Sequence, residues 1–385
     1  MKTLAKPFLA LVLLFALTGC GGSSFDLPES VITEDAYAVH WTDFSAIAPE
    51  AGVKAFNNLA DDIDDDQPKA RLWMSMQADL IQADYAERWE AFTEAGCKGM
   101  LKVFYAVPKT TGEGEFQTTR IAYQKHTFIK ARKDTDNDEL VKALSEFAEA
   151  DGNADLKLVA VGEDTGWFWL TREAAPSRTP EMPDGANEEA LKVFQKLIKD
   201  AGDSPMVTAW RPVDPISDKI KEELDRDDLD EDRKQEMELA QSIQSIVTTC
   251  STGRGATSGT SIVFAESDDA QDFADYQNKL LLQAQAALKQ LMIGSENPPH
   301  PSVIDDLIED GQIQTSGKTA SVQLDANAIE SMQLLMAARL GSGGDMTAPP
   351  HADVSSVLRL PSGSDVPGVM SCYNRLVFGR QNLPQ

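Results

Sequence analysis

The sequence predicts an α+β fold, and three observations carry the prediction. Strand-like and helix-like runs alternate along the 385 residues, the order of these runs is written twice, and each writing contains a hairpin with glycine in its turn. The predicted architecture is two tandem, internally duplicated units of antiparallel sheet with helices packed on one face. Hydrophobic residues make up 42% of the chain and charged residues 25%, a balance that lets a globular protein bury a core.

The first unit, residues 31–203, opens on an apolar strand ending at Trp41, followed by a turn at Asp43 and a helical stretch. A long helix is predicted from about Pro68 to Thr93, where Met74, Ala78, Ile81, Tyr85, Trp89 and Phe92 recur at helical spacing and form a core-facing stripe. Phe128 to Ala131 forms a strand, and the acidic stretch Asp134 to Asp138 leads into a helix over 139–149, its carboxylates complementing the positive helix N-terminus. Leu158 to Val161 and Trp167 to Leu170 flank Asp164-Thr165-Gly166 as a hairpin, and a helix over 187–199 follows.

The second unit, residues 204–340, repeats this order. A strand ends at Trp210, which is matched to Trp41, and a turn at Asp214 follows. Asp225 to Glu238 reads as a charged linker entering a helix over 237–247. The strand Ile262 to Ala265 and the acidic Glu266 to Asp269 precede a helix over 270–291. A hairpin then joins Gln312–Thr315 to Ala320–Leu324 around Gly317, with a last helix over 327–339. Residues 341–385 read as a Gly/Pro-rich linker and tail with one strand, Cys372 to Phe378.

The start of the chain has a different character. Lys2 and Lys6 precede an apolar run, Phe8 to Leu17, which is too short for the roughly 20 residues of a transmembrane span but suits a secretory signal. Leu17-Thr18-Gly19-Cys20 closes it, and this stretch resembles the lipobox of bacterial lipoproteins. The resemblance implies a signal peptide over residues 1–19, removed before Cys20, and acylation of Cys20. Residues 20–30 then form a leash that begins Gly21-Gly22-Ser23-Ser24. Two acyl chains hold a protein at a bilayer stably where one is marginal, at about 0.8 kcal/mol per buried methylene. The expected location is the bacterial cell envelope, with the lipid on Cys20 as the membrane contact and the body facing the periplasm or the exterior.

The formal charge of −27 argues against nucleic acid and against an electrostatic grip on anionic lipid, because both need clustered Lys and Arg. With Cys20 acylated, Cys97, Cys250 and Cys372 remain, so at most one disulfide forms among them.

Candidate chemistry is sparse. Asp134, Asp136 and Asp138 alternate like calcium-loop ligands, but Glu139 stands where that loop needs glycine and Ser145 where it needs a bidentate glutamate. Gly253 to Gly259 lacks the ending of a phosphate-binding loop and precedes a strand. His40, His126, His300 and His351 occur singly, without metal-ligand spacing. No catalytic, metal or cofactor residue is singled out. Trp167 and Trp169, two apart on one face of a strand, are the candidate binding residues, for a sugar ring or a protein partner; as core residues they would fill the space between sheet and helix. The expected function is a membrane-anchored, non-enzymatic component that binds or assembles with an envelope protein. The alternative is a lipid-tethered binding protein for a sugar or a cation.

Overall fold

A computed structural model describes residues 27–46, 87–111, 118–133, 135–150, 156–163, 165–172, 185–226, 231–250, 257–292 and 308–324, with isolated positions between 53 and 82 and at 305. Its strands are β1 (Ala36–Asp43), β2 (Cys97–Thr111), β3 (Thr118–Ala131), β4 (Leu156–Ala160), β5 (Trp167–Arg172), β6 (Met206–Trp210), β7 (Ile243–Cys250), β8 (Ser258–Phe264), β9 (Gln314–Ser316) and β10 (Thr319–Leu324). They form one 10-stranded sheet in the order β4-β5-β3-β2-β1-β6-β7-β8-β10-β9. Every neighbouring pair is antiparallel. The described helices are α1 (Glu87–Glu94), α2 (Asn137–Ala150), α3 (Glu188–Asp200), α4 (Asp214–Leu224), α5 (Glu231–Ser242) and α6 (Ser267–Met292). The fold is therefore α+β.

The two predicted stretches of sheet meet in the pair β1–β6, and outward from that pair the strands follow the same succession on each side. His40 stands opposite Thr208, 168 residues away. A shift of 168 residues also exchanges the two bonds that close the pair: Asp43 N–H donates to Pro205 O at 2.7 Å, and Arg211 N–H donates to Tyr37 O at 2.9 Å. The β2–β3 hairpin has a register shift between Cys97 and Gly99, and the β7–β8 hairpin has one between Ile243 and Ser245, at the corresponding end. Ala131 N–H donates to Gly166 O and Phe264 N–H to Lys318 O, both at 2.8 Å, where each later hairpin joins its half. Gly166 (φ 67°) and Gly317 (φ 57°) hold left-handed conformations in the turns of these hairpins, as glycine does without steric cost.

Side chains alternate across the sheet, so each face has its own covering. The first face carries Val39, Trp41, Val207 and Ala209, and it packs against α3 and against Leu27, Val31 and Ile32. Asn187 caps α3 through its Oδ1, which accepts from Ala190 N–H at 2.9 Å, and Ala190, Leu191, Phe194, Leu197 and Ile198 form the buried stripe. The second face carries Ala38, His40, Thr42, Thr208 and Trp210. At one corner α1 and α2 pack over Met100, Ile129, Phe168 and Leu170; at the other α4, α5 and α6 pack over Ala38, Trp210, Ile246 and Ile262. Helices thus cover both faces, which corrects the expectation of one helical face. The stripe of α3 meets the apolar first-face row of β1 and β6, opposite the face that receives the other helices.

Two further expectations change. The helix predicted over 237–247 stops at Ser242, and Ile243 begins β7, because β6 and β8 offer hydrogen-bonded edges on both sides of a run rich in β-branched residues. Trp41 and Trp210 also fail to correspond: Trp41 pairs with Val207 and Trp210 with Ala38, which places the two indoles on opposite faces. Of the helix predicted over 68–93, Glu87–Glu94 is described as α1. The predicted helix over 327–339 and the strand over 372–378 lie outside the described residues.

Gly99 shows how tightly the first face is packed. A Cβ there would run into the Trp41 indole and approach Thr42 O to 2.5 Å, whereas at Gly259 its nearest neighbour would be Thr249 Oγ1 at 3.3 Å. Gly99→Ala is expected to lower stability by about 1–3 kcal/mol in urea unfolding, with a smaller loss for Gly259→Ala. Equal losses would contradict this packing.

Candidate functional site

Cys20 lies outside the described residues. Trp167 and Trp169 point into the core beneath α3, at 3% and 7% exposure. Trp167 meets Trp41 edge-on with ring centres 5.9 Å apart, and Lys130 Nζ lies 5.0 Å from the Trp167 ring. Trp169 packs against His126 at 5.5 Å, which in turn meets Tyr105 edge-on at 5.3 Å. Burial lowers the pKa of His126, so this imidazole belongs to an aromatic core.

The register of the sheet instead brings together residues that no sequence motif linked. Across the middle of the second face, Thr127 stands opposite Lys102, Lys102 opposite His40, His40 opposite Thr208, Thr208 opposite Thr248, and Thr248 opposite Thr260. This is one polar row across six strands, about 24 Å long at the usual strand spacing. The row on one side of it is mostly apolar: Phe104, Ala38, Trp210, Ile246 and Ile262. On the other side Met100, Thr42, Met206 and Cys250 lie in line.

Desolvating hydroxyls, an imidazole and an ammonium in a sheet is unfavourable unless they find partners. His40 does: its Nδ1 lies 2.8 Å from Thr208 Oγ1 and its Nε2 lies 3.1 Å from Thr42 Oγ1. Thr248 and Thr260 join their hydroxyls at 3.2 Å. Burial, reinforced by the neighbouring Lys102 charge, pushes the His40 pKa down to about 4, so the ring is neutral near pH 7. One ring nitrogen then donates and the other accepts, and a hydroxyl suits either role. Burial lowers the Lys102 pKa as well, with Lys125 adding repulsion. Among the described residues no carboxylate forms an ion pair with Lys102.

The far end of the row runs under α6. Asn278 brackets the backbone of Ile313, donating to its carbonyl at 3.0 Å and accepting from its N–H at 2.8 Å. Ile313 directly precedes Gln314, the partner of Ser321, which sets it level with Val322 and hence with Thr260. The preceding residue on the helix, Gln277, is 3% exposed, and neither of its amide atoms has a hydrogen-bond partner among the described residues.

The row provides a cation, hydroxyls and a neutral imidazole. The partners of His40 are two threonines, without the orienting carboxylate of a nucleophilic triad. Among the described residues no three His, Cys, Asp or Glu side chains converge as metal ligands. Cys97 is buried, with its thiol pushed up to about 12 by desolvation, which makes it inert, and no disulfide joins it to Cys250. The row escaped sequence reasoning because its members come from strands far apart in the chain. The available signal was a polar residue at the centre of each of six strands. No family model, curated protein or solved structure matches the chain.

The neutral state of His40 gives a pH dependence with a definite sign. Between pH 6.5 and about 4 the unfolded chain takes up a proton that the folded His40 refuses, so stability is full above 6.5 and declines as pH falls through this window. The His40 share of the decline is at most about 3 kcal/mol. Urea unfolding at a series of pH values is expected to show a shallower decline for His40→Gln than for the unsubstituted protein. Identical slopes would contradict the assignment.

Proposed function

We propose that the protein is a lipid-anchored component of the bacterial cell envelope, held through acylated Cys20, with a body that binds or assembles with an envelope protein and has no enzymatic role. The observation that carries this reading is the lipobox Leu17-Thr18-Gly19-Cys20 behind a basic start and a short apolar run. Among the described residues no helix is long and apolar enough to cross a membrane, so the acyl chains are the membrane attachment in this account.

The body is further proposed to be a tandem duplication. Support comes from the matching strand succession on either side of β1–β6 and from the repeated register shifts. Such matches are expected when two copies of one unit pair through their first strands. Two copies joined this way bring two sets of helices to the second face and leave the polar row between them. That row favours the alternative reading, a tethered small-ligand binder.

Metabolic labelling with a palmitate analogue, combined with membrane fractionation, tests the anchor. Label and membrane association are expected in the full chain and absent in Cys20→Ser. An unlabelled full chain that still fractionates with membranes would overturn it. In-cell crosslinking tests the assembly role, which predicts a reproducible envelope partner that disappears with Cys20→Ser.

A further inference from the structure

We propose that the middle of the second face is a binding site for a small oxyanion, a carboxylate or a phosphate, held by the Lys102 ammonium together with the one hydroxyl, of Thr42 or Thr208, that accepts from the His40 ring and is left free to donate. The position of the groups carries the inference. Lys102, His40 and Thr208 are consecutive in one cross-strand row, and Thr42 stands two residues from His40 on the same face. Directly opposite residues on one face have Cβ atoms about 5 Å apart, so these side chains converge over roughly 10 Å, the reach of one small anion and its hydrogen bonds.

The charge pattern selects the sign of the ligand. Acidic residues outnumber basic ones by 62 to 35 in this chain, yet Lys102 is half-buried and no acid among the described strand residues stands beside it on its own face of the sheet. The second-face neighbours are Thr127 and His40 beside it, Met100 and Phe104 along its own strand, Ala38 and Thr42 on β1, and Lys125 and Ile129 on β3. A second lysine thus lies diagonally across from the first, and no carboxylate lies in the ring around them. A desolvated ammonium without a counter-charge is unfavourable, and an anion from solution supplies the charge, while the threonine hydroxyl that accepts from the His40 ring N–H keeps its own proton to donate to an anion oxygen. A cation finds no carboxylate ligands in this row, which separates the site from the cation alternative. The acidic remainder of the chain does not prevent local capture, because charges beyond a Debye length of about 8 Å are largely screened at physiological ionic strength.

The site does not depend on the lipid anchor, so the test uses the full-length mature chain carrying Cys20→Ser. Threonine methyl groups are observed by NMR during titration with inorganic phosphate, and separately with succinate, against sodium chloride at matched ionic strength. Saturable shifts at Thr42 and Thr208 are expected with at least one oxyanion and not with chloride. Lys102→Met is expected to weaken binding about tenfold or more, and Lys102→Arg to retain it. Should Lys102→Met fail to fold, Thr208→Val and Thr42→Val keep the charge and the side-chain shape, and one of the two is expected to weaken binding about three- to tenfold. Three results overturn the proposal: no saturable shift with either oxyanion, shifts that chloride reproduces, or affinity unchanged in the folded variants. Phosphate-only binding assigns the site to phosphoryl groups, and succinate-only binding assigns it to carboxylates.

Discussion

The antiparallel pair β1–β6 is the interaction on which the rest of the structure depends. It is the only contact in the sheet between strands from the first and second halves of the described chain, and it turns two stretches of five strands into one sheet of ten. Backbone bonds at Asp43 and Arg211 close its two ends. Arg211 adds side-chain bonds to the same junction: Nε donates to Ala36 O at 2.9 Å, and Nη2 donates to Glu34 O at 2.5 Å. Its guanidinium also lies 5.9 Å from the Phe194 ring of α3, so the residue that directly follows β6 fastens the start of β1 and the helix beneath it. Residues more than 170 positions apart are joined here, which makes the seam a non-local contact whose ordering entropy must be offset by what packs on either side.

The register of this pair is enforced from both faces. Val39, Trp41, Val207 and Ala209 lie in the apolar layer under α3, while His40, Thr42 and Thr208 satisfy one another on the opposite face. A slip of one residue in either strand would drive its polar positions toward the α3 core and expel its apolar ones. The His40–Thr208 contact therefore has a structural consequence as well as a chemical one. It marks the one alignment in which imidazole and hydroxyls meet, between an apolar row that receives α4 to α6 and a row that leads to the Met100 and Ile129 corner under α1 and α2. The lysine beside it is the member of the row with which no carboxylate pairs among the described residues.

How much of this was legible in the sequence depended on whether the determining contacts were local. The hairpins β4–β5 and β9–β10 could be read because Gly166 and Gly317 break flanking strand patterns, and α2, α3 and α6 because acidic or Asn187 starts precede amphipathic stretches. Ile243 to Cys250 was misread in its first turn because the helical pattern of α5 runs into it, and strand partners 36 or more residues upstream and 8 or more downstream decide its state. The match of Trp41 with Trp210 looked persuasive as a word, but side-chain direction follows pairing, and pairing put the indoles on opposite faces. Trp167 and Trp169 advertised themselves as large aromatics, and the space beneath α3 accounts for both. His40 and Lys102 carried no local signal; their meaning arises only when β1, β2 and β6 lie side by side.

Native-state hydrogen exchange of the Asp43 and Arg211 amides tests the central claim, that β1–β6 makes the two halves one cooperative body. The account predicts that both amides exchange only through global opening, with the same free energy as Ala131 and Phe264, which close the outer hairpins of the two halves. Exchange of Asp43 and Arg211 through a lower-energy opening, while Ala131 and Phe264 stay protected, would contradict it and describe two halves that fold independently and merely touch.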